Sequence, residues 1–297
     1  MKVLITGLTG FIGKSLRKQL PGGYEYFALT RRDQDFGGGV QVLLGDLNHL
    51  DQIKPHILKI RPDICIYLAW EGIPDYGYAI SQRNLTNGMI FFHFLITECG
   101  CRKIVAVGSC WEYGKNFGLC REDEPVGCGN YFVWAKRALC DLGLTLAKEE
   151  NIIFVWLRLF YVYGPSQYSN SLIPTLAQML KKGQYPNVKA SLNANDFVYV
   201  VDAAQALIKA VFKEEVSSGI YNVGSGVSTP VWRICELLEQ VLGKKTEYFK
   251  QLKKSASKAA MDFWADTKKA REVLQWSAGI SLEQGIIKYL NEGDGQP

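Results

Sequence analysis

Met1-Lys-Val-Leu-Ile-Thr6 reads as a short apolar strand, and Gly7-Leu-Thr-Gly10-Phe-Ile-Gly13 follows it without a break. Residues 14–20 continue at helical spacing, with Ile12, Leu16 and Leu20 on one side. A strand, a glycine-rich turn and a helix start together make an anion site. The free N–H groups of a first helical turn point outward, and the helix dipole favours negative charge there. Gly7 allows a tight turn, Gly10 the close approach of a pyrophosphate, and Gly13 the packing of helix on strand. A glycine triplet alone is a weak signal; between a strand and a helix it is a specific one.

Outward from this stretch, strand-like runs at 24–30, 40–44, 64–69, 104–108 and 152–158 alternate with helix-like runs at 49–60, 78–99 and 131–149. That rhythm predicts a parallel sheet covered on both faces, with ligand at the carboxyl ends of the strands where strand order reverses. After Gly164-Pro165 the rhythm breaks. Residues 166–170 are polar, 172–181 read as a helix and 184–195 as a loop. Residues 196–202 lead into a helix, 219–226 give another strand and turn, and 232–242 and 282–290 read as helices. The tail after Asn291 is expected to fray.

The 297 residues are 47% hydrophobic and 21% charged, enough apolar material for one large domain or a large and a small one. The net charge of +5 is spread along the chain, so no nucleic-acid surface is expected. No apolar run approaches the roughly 20 residues that span a bilayer, and the opening strand does not read as a cleavable signal. The eight cysteines are scattered without a C-x-x-C pair, and His49, His56 and His93 complete no zinc site. No metal is expected. The cysteines read as reduced packing residues of a cytoplasmic protein.

The opening Thr6-Gly-x-x-Gly-Phe-Ile-Gly13 resembles that of the extended short-chain dehydrogenase/reductase family, which includes nucleotide-sugar epimerases, dehydratases and reductases. Arg158-x-x-Tyr161-x-Tyr163-Gly164-Pro165, Asp196-Phe-Val-Tyr-Val-x-Asp202, Tyr221-Asn-Val-Gly224 and Asp266-x-x-Lys269 resemble its later landmarks, in family order. The resemblance implies an α/β fold: a Rossmann-type doubly wound parallel sheet with a smaller C-terminal α/β substrate domain. Residues 1–165 plus about 196–223 would form the dinucleotide-binding domain, and about 166–195 plus 224–297 the substrate-binding domain. A cleft would lie between them. Pairing of 78–99 and 131–149 between two subunits would make a homodimer.

The end of the second strand separates the two nicotinamide cofactors. A carboxylate there binds a free ribose 2′-hydroxyl, whereas arginine accommodates a 2′-phosphate. Ala28-Leu-Thr30-Arg31-Arg32 offers two guanidiniums and no carboxylate before Asp33, so NADP is expected over NAD. The resemblance assigns Gly7, Thr9, Gly10, Phe11, Ile12 and Gly13 to the cofactor. It also implies that Asp46 and Leu47 lie along the adenine and that Leu68 and Ala69 lie beside the nicotinamide ribose. Trp70 departs from the family pattern, as a packing aromatic or a substrate contact.

The family's chemistry uses a Ser/Thr hydroxyl and a Tyr-x-x-x-Lys pair, whose members share one helix face. Ser109-Cys110-Trp111-Glu112-Tyr113-Gly114 resembles the segment that carries the hydroxyl, at Ser109. Dehydratases have an Asp-Glu pair where Cys110 and Trp111 stand, and Glu112 falls one place late on a strand-like segment, so a dehydratase is not expected. The lysine is Lys136. Four residues before it stands Phe132, and Tyr131 is five before, about 140° away around a regular helix. Either Tyr131 reaches the site through an irregular first turn, or Phe132 occupies the tyrosine position without a hydroxyl, or the motif is aligned differently.

Nucleotide-diphosphate sugars are the implied partners, with Trp70, Cys110, Trp111, Tyr161 and Asn170 towards the substrate and Lys181, Lys182 and Lys189 as available charge. Many members have an arginine ahead of Asp-Phe; this chain has Leu192-Asn-Ala-Asn195. Chain length and the arginine turn lean towards an NADPH-dependent reductase of a 4-keto-6-deoxy sugar. An epimerase and a non-catalytic NADP-binding sensor remain open alternatives.

Overall fold

The computed structural model describes residues 1–114, 117–185, 188, 190–244, 248–255 and 261–292. Lys189 and the tail 293–297 lie outside the described residues. In chain order the strands are β1 (Lys2–Thr6), β2 (Glu25–Thr30), β3 (Val40–Leu44), β4 (Ile64–Tyr67), β5 (Lys103–Ser109), β6 (Phe117–Cys120), β7 (Ile153–Leu159), β8 (Tyr161–Tyr163), β9 (Ala194–Tyr199), β10 (Gly219–Val223), β11 (Ser228–Pro230) and β12 (Asp262–Ala265). The helices are α1 (Phe11–Arg17), α2 (Leu50–Ile60), α3 (Tyr78–Thr97), α4 (Tyr131–Glu149), α5 (Leu172–Lys181), α6 (Val200–Phe212), α7 (Val231–Val241), α8 (Tyr248–Ser255) and α9 (Leu282–Glu292).

One sheet is parallel throughout, in the order β10-β7-β5-β4-β1-β2-β3. Its central strands are buried along their length because helices cover both faces. Leu16 of α1 and Ala203 and Leu207 of α6 pack on one face; Ile53 of α2, Phe91 and Leu95 of α3 and Leu139 of α4 pack on the other. Each such Leu, Ile or Phe side chain contributes about 1.5–3 kcal/mol on leaving water. β1 pairs with β2 on one side and β4 on the other, so strand order reverses there and a crevice opens at the carboxyl ends. This is the doubly wound Rossmann-type arrangement.

A second, mixed sheet runs β11-β9-β12-β6, with β8 beside β9. Here α5, α7, α8 and α9 gather around a separate core containing Ile173, Leu238, Leu252 and Ile286. The chain therefore enters this sheet at β6, ahead of the expected break at Gly164-Pro165. Asp196 joins the two parts: its buried carboxylate accepts from the Ser225 and Gly226 N–H groups after β10 and from Ala265 N–H of β12. Asn222 of β10 likewise accepts from the Tyr113 hydroxyl and donates to the Cys120 carbonyl of β6.

Candidate active site

A cavity of ≈ 360 Å³ lies at the carboxyl ends of β1, β2, β3 and β4. Thr6, Gly7, Thr9 and Gly10 form its floor, Thr30, Arg31, Asp46 and Leu47 one flank, and Leu68, Ala69, Trp70 and Glu71 the other. Tyr168 reaches it from the segment before α5. Gly7 has φ +74°, and a Cβ there would sit 2.8 Å from the Ala69 nitrogen. A Cβ on Gly13 would lie 2.3 Å from the Gly7 carbonyl oxygen, so this glycine lets α1 press on the turn. A Cβ on Gly10 would meet protein only at the Gly7 oxygen, 3.2 Å away. The floor is a cradle that side chains would fill, and it fits a dinucleotide pyrophosphate. Phe11, Ile12 and Gly13 back this turn and do not line the cavity.

On the flank after β3, Asp46 Oδ1 accepts from the Asn48 backbone and side-chain N–H groups, at 2.9 and 3.0 Å, and caps a short 3-10 turn over Leu47–His49. Arg31 lies on the cavity flank, paired at 2.8 Å with Glu71. Arg32 is exposed beside the cavity and does not line it.

Ser109 ends β5. Its hydroxyl accepts from the Trp111 N–H at 3.2 Å, and Glu112 reaches back to the Ser109 N–H at 2.8 Å. This capping box winds Cys110–Tyr113 into a 3-10 turn, where the sequence suggests continued strand. Glu112 is wholly buried: it accepts from the Arg158 Nε at 2.8 Å and from the Trp156 indole, tying β5 to β7. Its carboxylate is engaged in the core. Cys110 is buried, and burial pushes its thiol well above the usual range. Trp111 donates its indole N–H to the Tyr161 hydroxyl at 3.1 Å.

The register of α4 distinguishes Phe132 from Tyr131. Asn130 caps the helix by accepting from the Val133 N–H at 2.9 Å, so the first turn is regular. Tyr131 is 53% exposed and packs on Tyr78, beside Trp134 on the outer face. Phe132 is buried and meets Trp70, Tyr76 and Trp111 edge-on, at 5.4, 5.3 and 6.2 Å between ring centres. Lys136 lies one turn further. Its ammonium donates to the Val107 carbonyl at 2.8 Å and sits 4.0 Å from the Trp70 ring centre. Burial lowers its pKa to about 7, against the opposing pull of Glu112. The structure thus gathers Ser109, Trp111, Phe132, Lys136 and Trp70, and leaves Tyr131 outside. Asn170 is exposed just before α5, and Lys181 and Lys182 are exposed at its end.

Sequence reading missed Tyr76, which covers Phe132, and the polar set of Glu71, Asn48, Asn84 and Asn87. Only the position of Glu71, directly after Leu68-Ala69-Trp70, hinted at a cavity role.

A family model described as the NAD dependent epimerase/dehydratase family matches residues 3–224. The chain is 26% identical over 239 residues to a dTDP-6-deoxy-L-talose 4-dehydrogenase (NAD(+)) of Aggregatibacter actinomycetemcomitans, covering 76% of this chain and 85% of that one. It is 24% identical over 300 residues to a CDP-abequose synthase of Salmonella muenchen, covering 98% and 97%. Its fold is similar to that of a UDP-glucose 4-epimerase of Thermotoga maritima solved with UDP-glucose: TM-score 0.81, 21% identity, 98% of each chain.

Proposed function

The chain belongs to the NAD dependent epimerase/dehydratase family, within the extended short-chain dehydrogenase/reductases, and on that premise we propose that it reduces a nucleotide-linked 4-keto-6-deoxy sugar with NADPH. The observation that carries this reading is one arrangement. A cradle floored at Gly7 and Gly10 leads from Arg31 towards Trp70, and beyond Trp70 Lys136 is anchored to the carbonyl two residues before Ser109. The dehydrogenase relative is named for redox at position 4 of a 6-deoxy sugar nucleotide, the same bond in the opposite direction. That relative is named for NAD(+); Arg31 and Arg32 are what favour the 2′-phosphorylated cofactor here.

The bound nicotinamide would supply hydride chemistry. Gly7 and Gly10 would let backbone approach the pyrophosphate, and Asp46 would accept from the adenine. Ser109 would donate its hydroxyl hydrogen to the reacting sugar oxygen, where a preorganised donor lowers the barrier by several kcal/mol. Lys136, titrating at about 7, would hold the nearby exchangeable proton at its Nζ. Trp111 and Tyr161 would face the sugar, with Cys110 buried behind them. Residues 1–165 with about 196–223 would carry the cofactor site and these sugar contacts, and the remainder would close over the nucleotide sugar. A cytoplasmic homodimer joined across the exposed Tyr78, Tyr131 and Trp134 of α3 and α4 completes the proposal.

The assay is oxidation of NADPH on adding 4-keto-6-deoxy sugars linked to uridine, thymidine, cytidine and guanosine diphosphates, with the native chain and with Phe132→Tyr. Reduction of one of them is expected; silence across all four with both proteins overturns the reading. Sugar interconversion without net oxidation would mark an epimerase. A second reading, dinucleotide binding without turnover, is favoured by Phe132 and the Trp70 indole filling the ground in front of Lys136.

A further inference from the structure

The cavity flank carries a carboxylate that the end of β2 does not disclose. Glu71 follows β4, and its backbone is fixed to α3 by Asn84, which accepts from the Glu71 N–H at 2.8 Å and donates to its carbonyl at 3.0 Å. From this anchored position one carboxylate oxygen pairs with Arg31 Nη1 at 2.8 Å and the other accepts from Asn48 Nδ2 at 3.3 Å. Asn87 holds Asn48 in turn, at 2.8 Å. Arg31 is therefore already engaged by an anion in the free protein.

We propose that Glu71 is a specificity-determining residue that competes with the cofactor's 2′-phosphate for Arg31 and so limits the preference for NADP over NAD. The inference rests on the reading of this cavity as the dinucleotide site. A 2′-phosphate recruits Arg31 only by displacing Glu71, and the freed carboxylate then faces a second anion across the same flank. Both effects weaken NADP. Neither acts on NAD, whose 2′-hydroxyl is neutral and can donate to a carboxylate. The Arg31–Glu71 pair is partly solvated, with side chains 61% and 34% exposed, so exchange of partners is feasible without unfolding the flank. Repulsion between a misplaced carboxylate and a charged ligand is a usual means of excluding it.

The test is calorimetric titration of NADP+ and NAD+, and of 2′,5′-ADP and 5′-ADP, into the native chain, Glu71→Gln, Glu71→Asp, Arg31→Gln and the Glu71→Gln/Arg31→Gln pair. Glu71→Gln is expected to tighten NADP+ and 2′,5′-ADP about tenfold while NAD+ and 5′-ADP change less than about threefold. Glu71→Asp, shorter but still charged, gains less. With Arg31→Gln in place, Glu71→Gln gives a smaller gain, because only the direct repulsion between the carboxylate and the 2′-phosphate is left to relieve. Equal shifts for both cofactors, no shift, or a gain undiminished by Arg31→Gln overturns the role of Glu71 and leaves the cavity assignment standing. Failure of every protein to bind either dinucleotide overturns both.

Discussion

Phe132 and Lys136 stand one turn apart on the buried face of α4, with the ammonium 6.0 Å from the centre of the Phe132 ring. The Phe132 ring is ringed by Trp70, Tyr76 and Trp111, each edge-on to it. Tyr131, the neighbouring phenol, points to the outer face instead. Phe132 thus stands four residues before Lys136 on one helix face and carries no hydroxyl.

Phe132→Tyr is expected to raise kcat by about 10²–10⁴-fold on a 4-keto-6-deoxy nucleotide sugar, with little change in KM, because a positioned proton donor acts mainly in the transition state. Tyr131→Phe should leave both constants within about twofold, since its ring lies on the outer face. Steady-state kinetics of the two variants decides the matter. Loss of activity in Tyr131→Phe, with Phe132→Tyr silent, would refute this placement.

The cofactor turn gives a second expectation. Native protein should bind NADP more tightly than NAD, and the difference should shrink as salt rises, because phosphate recognition is partly Coulombic. Changing Arg31 and Arg32 together to serine should remove most of the difference. Equal affinity for both cofactors in the native chain at low salt would sink it.

The parallel sheet is legible in the sequence because its strands are covered on both faces and so read as near-continuous apolar runs, such as Ile64–Tyr67 and residues 153–157. The second sheet is not. β8 and β11 are three residues each, too short to show a period, and β6 and β12 pair across 145 residues of sequence. The helical period puts Phe132 on the same face as Lys136, but the Asn130 cap is what excludes an irregular first turn. Glu71 was hidden for a different reason. It meets Arg31 across 40 residues, and no local pattern at the end of β2 reports a carboxylate delivered from β4.

Lys136 gives a pH dependence with a definite sign. Its folded pKa of about 7 lies below the ordinary lysine value, because burial penalises the ammonium. Below pH 7 the folded chain carries this charge at full cost. Between pH 7 and about 10.4 the unfolded chain binds the extra proton, so this group's contribution to stability becomes less unfavourable as pH rises. Lys136→Met should accordingly raise Tm most at pH 6, with a gain that shrinks towards pH 10. A gain independent of pH would show that the lysine is not desolvated as described.

Glu112 carries the last expectation, because it links stability to the site. The carboxylate is wholly buried and holds Arg158 of β7, the Trp156 indole and the Ser109 N–H at once. Removing it by Glu112→Ala leaves a buried guanidinium uncompensated, which should cost about 3–5 kcal/mol in urea unfolding. Removing both charges, as in Glu112→Leu/Arg158→Met, should recover much of that loss, since a buried ion pair is often no more stable than an apolar pair of similar volume. The double variant still lacks the acceptor for the Ser109 N–H, so the turn after β5 loses its capping box. It should fold and yet turn over more slowly, with kcat reduced and cofactor affinity unchanged. A double variant as unstable as Glu112→Ala would mean that the pair is held by more than its charges, and full activity in it would mean that Ser109 is positioned without Glu112.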